Sequence, residues 1–170
     1  ETGEQIWKTY MVDEAKSVNI KGPKYGPSGA PVWNSPTIDE ERGQIYFGTG
    51  ENYSHPTSAT SDAIIAIDMA TGKINWVRQV LENDAWNGSC PGNINCPENY
   101  GPDYDFGAPS ILIKRKNEAD IIVAGQKSGM VFGINPEDGT ELWHTRVGRG
   151  GIMGGIHWGM ATNGKQLFVP

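Results

Sequence analysis

The sequence predicts an all-β chain assembled from tandem units of short antiparallel strands. A motif in which Gly stands four residues before Trp occurs three times, in "ETGEQIW", "DMATGKINW" and "NPEDGTELW". The 170 residues include 23 Gly and 11 Pro, and this content of Gly suits a chain with many tight turns. No stretch shows a sustained helical period of apolar residues. A repeat of this kind indicates a repeated structural unit.

Each copy of the motif is predicted to be a β-hairpin with Trp on its second strand. Thr or Asp precedes each motif glycine, and such pairs form tight turns because Gly accepts positive φ. The flanking segments "AIIAID" and "KINWVRQV" are rich in β-branched and aromatic residues, as strands are. The motif tryptophans, which we expect to pack between neighbouring units, are Trp7, Trp76 and Trp143.

Two further predicted strands precede each internal hairpin, so that a full unit has four strands. They are "SPTID" and "GQIYFGT" in one unit, and "APSILIK" and "DIIVAGQ" in the next. Four short antiparallel strands in tandem are typical of a β-propeller blade. We therefore predict that residues 1–170 form part of one propeller domain and are a fragment of a longer protein. The predicted parts are the end of one blade, full blades at about 33–80 and 105–148, and the start of a further blade at 155–170.

Charge and hydropathy argue against a nucleic-acid partner and against a membrane span. The net charge is −6, with acidic and basic residues interspersed, which disfavours a nucleic-acid surface. No apolar run is long enough to span a membrane. We expect neither a nucleic-acid partner nor a membrane span in this chain.

Two long loops, residues 50–62 and 81–107, interrupt the otherwise short connections. In an up-and-down arrangement of strands both loops lie on one face, and the Gly turns lie on the other. Aromatic groups there can sandwich a flat ligand, oxygens can hold a hard cation, and Lys can pair with a ligand oxygen. The alternative is that these residues have a structural role, in which the polar groups cap loops and the aromatic groups pack. The residues expected on this face are Trp33, Glu51, Asn52, Asp103, Asp105, Lys127, His157 and Trp158.

Two cysteines, Cys90 and Cys96, lie in the second long loop. Their spacing is not a haem-attachment motif, and two soft ligands are too few for a zinc site. We interpret them as a local disulfide of an exported protein, with free thiols as the alternative.

The motif "AIDMATGKINW" resembles the tryptophan-docking repeat of the quinoprotein alcohol dehydrogenases, eight-bladed propellers that use pyrroloquinoline quinone (PQQ). Further strings are similar to the polyvinyl-alcohol dehydrogenase branch of that family, among them "GAPVWNSPTIDEERGQIYFGTGENYS", "NCPENYGPDYDFGAPSIL", "AGQKSGMVFGINPEDG" and "GGIHWGMATNGK". The resemblance runs over nearly the whole chain. It implies a PQQ-dependent alcohol dehydrogenase.

The resemblance also implies roles for single residues. Asp105 in "YDF" matches the catalytic aspartate, a base for the alcohol hydroxyl that also approaches the metal. Lys127 in "GQKSG" matches a basic residue that binds the quinone oxygens. Trp33 matches the tryptophan that stacks on the PQQ plane, and Trp158 is expected to line the site from the next blade. Asp103 is expected to matter much less than Asp105.

The metal implied by the resemblance is Ca²⁺. Related enzymes bind it with an Asn directly after "GTG"; here Glu51 takes that position and Asn52 follows, so either can be the ligand beside Asp105. Lanthanide enzymes of the family have a second Asp two residues after the catalytic one. Gly107 stands there in this chain, which favours Ca²⁺.

The resemblance leads us to expect a periplasmic or secreted enzyme that oxidises an alcohol or a polymeric alcohol and passes electrons to an acceptor such as cytochrome c. A propeller that lacks catalysis and serves as a binding or assembly scaffold is the main alternative, because such propellers contain similar repeats. A propeller that binds carbohydrate through aromatic groups is a third possibility.

Overall fold

The computed structural model describes residues 2–18 and 24–170, and these residues form strands, turns and loops without a helix. The described residues thus provide no helix that could cross a membrane. In chain order the strands are β1 (Lys16–Ser17), β2 (Tyr25–Gly26), β3 (Ser28–Gly29), β4 (Thr37–Asp39), β5 (Gln44–Gly48), β6 (Asn52–Ser54), β7 (Ala63–Asp68), β8 (Ile74–Gln79), β9 (Ile111–Ile113), β10 (Ile121–Gly125), β11 (Met130–Ile134), β12 (Glu141–Arg146), β13 (Ala161–Thr162) and β14 (Leu167–Phe168).

Two four-stranded antiparallel sheets dominate the structure. The first has the order β4-β5-β7-β8 and the second has the order β9-β10-β11-β12. The pairing of the last two strands is irregular at the same place in each sheet. The register shifts between Ala66 and Ile67 where β7 pairs with β8, and between Gly133 and Ile134 where β11 pairs with β12. The equivalent irregularity shows that the repeat in sequence is a repeat in backbone geometry.

Two of the three motif tryptophans, Trp7 and Trp76, join one repeat to the next through a recurring contact, whereas Trp143 is 39% exposed. The indole Nε1 of Trp76 donates a hydrogen bond to the carbonyl of Pro136 at 3.1 Å, and that of Trp7 donates to the carbonyl of Met69 at 3.0 Å. Each carbonyl lies three residues before the turn glycine of the following copy. A Cβ on Gly139 would lie 2.5 Å from Cε3 of Trp76, so only glycine permits this approach.

The main hydrophobic core lies between the two sheets. Tyr46, Ile64 and Trp76 of the first sheet pack with Ile122 and Phe132 of the second. The rings of Tyr46 and Trp76 stack with their centroids 5.9 Å apart. Burial of these faces against each other fixes the relative positions of the two sheets, and with them the loops at their ends.

The first copy of the motif differs from prediction. Gly3 has the expected positive φ of 73°, but residues 4–10 form no strand, so the predicted hairpin around Trp7 is wrong. A strand needs a hydrogen-bonded neighbour, and no strand of the described residues pairs with this segment.

The segments outside the two large sheets contain short strands and a disulfide. Strand β6 lies inside the loop of residues 50–62 and pairs with β3, and β1 pairs with β2. A disulfide joins Cys90 to Cys96, which confirms the predicted pairing. A short hairpin, β13-β14, follows the second sheet.

Candidate functional site

Main-chain hydrogen bonds bring four distant segments together at the loop-rich ends of the two sheets. Phe106 N donates to Thr49 O at 3.2 Å, Lys127 N donates to Asp105 O at 3.0 Å, and Ile156 N donates to Gln126 O at 3.1 Å. Because backbone groups make these hydrogen bonds, the backbone alone brings together the side chains that follow each strand.

Three carboxylates and one ammonium group meet in this place. One oxygen from each of Glu51, Asp103 and Asp105 lies within 4.8 Å of the others, and all three residues are buried. Lys127 Nζ donates to Asp103 Oδ1 at 2.9 Å and to Asp105 Oδ2 at 2.8 Å. The backbone N–H of Glu51 donates to Asp105 Oδ1 at 3.0 Å, so both oxygens of Asp105 are held.

The charges divide unequally among the carboxylates. Burial tends to raise the pKa of Asp105, but hydrogen bonding with Glu51 and Lys127 keeps it below its ordinary value. Burial and the neighbouring carboxylates Asp105 and Asp103 raise the pKa of Glu51 to about 10. Without a cation, Asp105 is therefore ionised, whereas Glu51 holds a proton.

An aromatic wall adjoins the charged cluster. Lys127 Nζ lies 5.7 Å from the ring centroid of Trp33, a residue that is 40% exposed. The backbone of Gly107 lies against the Trp33 ring, because a Cβ there would lie 2.6 Å from Cζ2 of Trp33. The His157 ring packs edge-on against Trp33 with centroids 5.5 Å apart. Burial and the charge of Lys127 lower the pKa of His157, and the charge of Asp105 opposes this shift.

Two of the predicted residues lie outside the centre of the cluster. The Asn52 side chain accepts from Ser58 N at 2.8 Å and donates to Ser28 O at 3.1 Å, so it holds the loop instead of joining the carboxylates. Trp158 contacts the His157 ring at 4.4 Å between centroids and is 78% exposed. Of the two metal ligands left open by the sequence, the geometry favours Glu51.

Two further buried carboxyl groups, Asp84 and Asp62, were not among the residues that the sequence placed at the site. Asp84 accepts the backbone N–H groups of Asp103 at 3.2 Å and of Tyr104 at 3.0 Å. Asp62 is fully buried. The sequence offered one signal for Asp103, its position two residues before Asp105 in a Pro-containing loop. The roles of Asp84 and Asp62 depend on contacts across the fold.

The donor set fits a hard cation and a flat anionic ligand. Carboxylate oxygens are the ligands that Ca²⁺ prefers, and the three oxygens within 4.8 Å of one another can surround one ion. The partly exposed face of Trp33 offers a stacking surface. The ammonium group of Lys127, close to that face, can bind an anionic oxygen.

Comparison with known families agrees with this geometry. The family model described as "PQQ: Glucose/ethanol/alcohol dehydrogenase, beta-propeller domain" matches residues 1–149. The chain belongs to this PQQ dehydrogenase family. Membership in this family confirms the prediction of an all-β chain of propeller type.

Relatives within the PQQ dehydrogenase family share sequence over almost the whole chain. It is 37% identical over 173 residues to a polyvinylalcohol dehydrogenase of Pseudomonas sp., which covers 99% of this chain and 27% of the relative. Identity is 34% over 177 residues to the polyvinylalcohol dehydrogenase of Sphingopyxis sp. (strain 113P3), with the same coverage of 99% and 27%. The chain thus spans 27% of the length of these curated relatives.

Solved structures show the shared fold. The quinohemoprotein alcohol dehydrogenase of Comamonas testosteroni matches with a TM-score of 0.52 and 25% identity, over 72% of this chain and 18% of that one. A quinohemoprotein alcohol dehydrogenase of Pseudomonas putida HK5 matches with a TM-score of 0.60 and 19% identity, over 86% of this chain and 23% of that one.

Proposed function

We propose that this chain contributes part of the catalytic site of a PQQ-dependent dehydrogenase that oxidises alcohols. The observation that supports the proposal best is the buried ion pair of Asp105 and Lys127 beside the face of Trp33. Together these groups offer a base, a binder of anionic oxygens and a stacking surface. Because the chain spans 27% of its relatives' length, the activity is proposed for the longer protein.

Asp105 is the proposed base. It stays ionised because hydrogen bonding with Glu51 and Lys127 offsets its burial and lowers its pKa. Contacts to both of its oxygens fix its orientation, so it can take the proton of a substrate hydroxyl without first reorganising. When bound, PQQ would accept the hydride that the alcohol loses, while a metal ion beside it would act as a Lewis acid.

Lys127, Trp33 and Trp158 are the proposed cofactor-binding residues. The Lys127 ammonium group would bind anionic oxygens of PQQ, and Trp33 would stack on its plane. Trp158 is largely exposed and would add a second apolar surface at the edge of the site.

Ca²⁺ is the proposed metal, held by Glu51 and Asp105. Binding of the cation would displace the proton of Glu51, since a metal ligand must be deprotonated. Gly107 takes the position where lanthanide enzymes of the family have a second Asp, and Asp103, two residues before Asp105, brings a third carboxylate. Asn52 remains a less favoured ligand, since loop atoms already occupy its side chain.

The proposed substrates are hydroxyl groups of polymeric or other secondary alcohols, because both relatives aligned over 99% of the chain are named polyvinylalcohol dehydrogenases. A cytochrome c is the proposed electron acceptor; one relative is named lupanine 17-hydroxylase [cytochrome c]. A periplasmic or secreted location is proposed because the disulfide requires an oxidising compartment.

Steady-state kinetics of the full-length protein tests the assignment. Asp105→Asn keeps the size of the side chain but removes its basicity, so we expect kcat to fall by about 10²–10⁴-fold while PQQ still binds. Lys127→Ala is expected to weaken PQQ binding, measured by titration of the apo-protein. Asp138→Asn, an exposed change in a turn at the opposite ends of the strands, is the control.

Near-normal kcat in Asp105→Asn would show that another group is the base. A full-length protein that reduces no dye with any alcohol, even with PQQ and Ca²⁺ supplied, would favour the scaffold alternative.

A further inference from the structure

We propose that Asp103 is a positioning residue that holds the ammonium group of Lys127 near the face of Trp33. The inference deepens the proposed function and rests on it for the identity of the ligand, PQQ. The role of Asp103 itself follows from contacts within this chain.

Lys127 is held by two carboxylates instead of one. Its Nζ lies 2.9 Å from Asp103 Oδ1 and 2.8 Å from Asp105 Oδ2, and all three side chains are buried. An ammonium group has three donors on a flexible stem, so a single acceptor leaves it free to pivot about that contact. A second acceptor removes this freedom and fixes Nζ 5.7 Å from the Trp33 centroid.

A further buried carboxylate, Asp84, holds the backbone at Asp103. Asp103 has a φ of 59°, a left-handed conformation that Asp adopts more readily than most residues, and hydrogen bonds constrain the backbone here. Asp84 supplies that constraint, because its two carboxylate oxygens accept the N–H groups of Asp103 and Tyr104. Asp84 is itself fully buried, so the loop that carries Asp103 is anchored from inside the protein.

A purely electrostatic role for Asp103 predicts the opposite result. Removal of a negative charge from the site would strengthen the binding of an anionic ligand. Loss of a positioning residue would weaken it, because Lys127 would keep only Asp105 as a partner and shift away from the Trp33 face. The direction of the change therefore separates the two roles.

The test is a double-mutant cycle on the full-length apo-protein at saturating Ca²⁺, with the PQQ Kd as the measurement. Asp103→Asn and Asp103→Gly are made both in the natural protein and in Lys127→Ala. Asn and Gly both accept positive φ, so the loop conformation is kept. We expect PQQ binding to weaken about tenfold with Lys127 present, and by less than about twofold without it. Asn99→Gly is the control, an exposed residue whose φ is 52°.

A second measurement needs no cofactor. An amine-reactive reagent should label Lys127 several-fold faster in Asp103→Asn than in the natural apo-protein, as quantified by peptide mass spectrometry. Tighter PQQ binding, equal weakening in both backgrounds, or an unchanged labelling rate would each overturn the role of Asp103. If the natural protein binds no PQQ, the proposed function fails, and the labelling rate still decides whether Asp103 holds Lys127.

Discussion

Asp62 stands out among the individual residues because it is fully buried and neither carboxylate oxygen has a hydrogen-bond partner in the described residues. The hydroxyl of the preceding Ser61 is donated to Ser58 O at 3.1 Å instead. Burial first, and then the charges of Asp84, Asp105 and Asp103, raise the pKa of Asp62 to about 9. The folded protein therefore favours the neutral acid at this position.

This shift makes stability depend on pH. A group whose pKa is higher in the folded state stabilises the protein fully below its unfolded pKa, here 3.8, and that contribution is lost as pH rises toward about 9. Asp62→Asn cannot ionise and accepts the positive φ of 47°. We expect the Tm of the natural protein to fall more between pH 5 and pH 8 than that of Asp62→Asn. Parallel Tm profiles would show that Asp62 is not a buried neutral acid.

At the scale of elements, the loop of residues 81–107 is a structured part of the site. Asn52 N donates to Asp84 O at 3.0 Å, and Trp86 N donates to Asn52 O at 2.8 Å, so the loop pairs with the segment that carries Glu51. The Cys90–Cys96 disulfide closes the exposed end of the same loop. The pairing with Asn52 and the disulfide lie in different parts of the loop, so a variant can remove one and leave the other in place.

Removal of the disulfide should therefore cost stability more than site geometry. The ring that it closes is short, so the double variant Cys90→Ser/Cys96→Ser should lose about 2 kcal/mol of unfolding free energy. Denaturant unfolding measures the loss, and PQQ affinity should change little because the contacts of Asp84 remain. The natural protein under reducing conditions is the control and should match the variant. Unchanged stability would mean that the disulfide adds nothing to the fold.

Across the whole molecule, the two large sheets are held together by ionic contacts as well as by the core and the Trp contact. The guanidinium of Arg42 lies 2.9 Å from Asp39 in its own sheet, 2.9 Å from Asp120 and 2.6 Å from Glu137 beside the second sheet. The Asp39 side chain is fully buried. Arg42 thus neutralises a buried charge and spans the boundary between the sheets.

Arg42→Ala should destabilise the whole assembly of sheets. Loss of the guanidinium leaves the buried Asp39 carboxylate with the Tyr46 hydroxyl at 3.0 Å and the more distant Lys114 ammonium group at 3.9 Å, which costs about 3 kcal/mol. The control is Arg115→Ala, which removes an ion pair with Glu118 inside one exposed turn and should cost less than about 1 kcal/mol. Denaturant unfolding of the two variants and of the natural protein would measure both losses of unfolding free energy. Equal losses in the two variants would show that the contacts between the sheets are not decisive.

The strands of the two large sheets, their turns and the family follow from short stretches of the sequence. Alternation, β-branched residues and turn glycines act locally, so β7 with β8 and β11 with β12 were predictable from short windows. The hairpin expected around Trp7 was not found, because a strand also needs a partner and local residues do not provide one.

Contacts across the fold bring together the side chains that share the site. Glu51 and Asn52 are adjacent in sequence, yet the first joins the carboxylates and the second binds Ser28 and Ser58. Asp103 acquires its contact with Lys127 because backbone hydrogen bonds join segments far apart in the chain. These outcomes depend on distance, burial and the direction of side chains across the fold, and the local sequence encodes none of them.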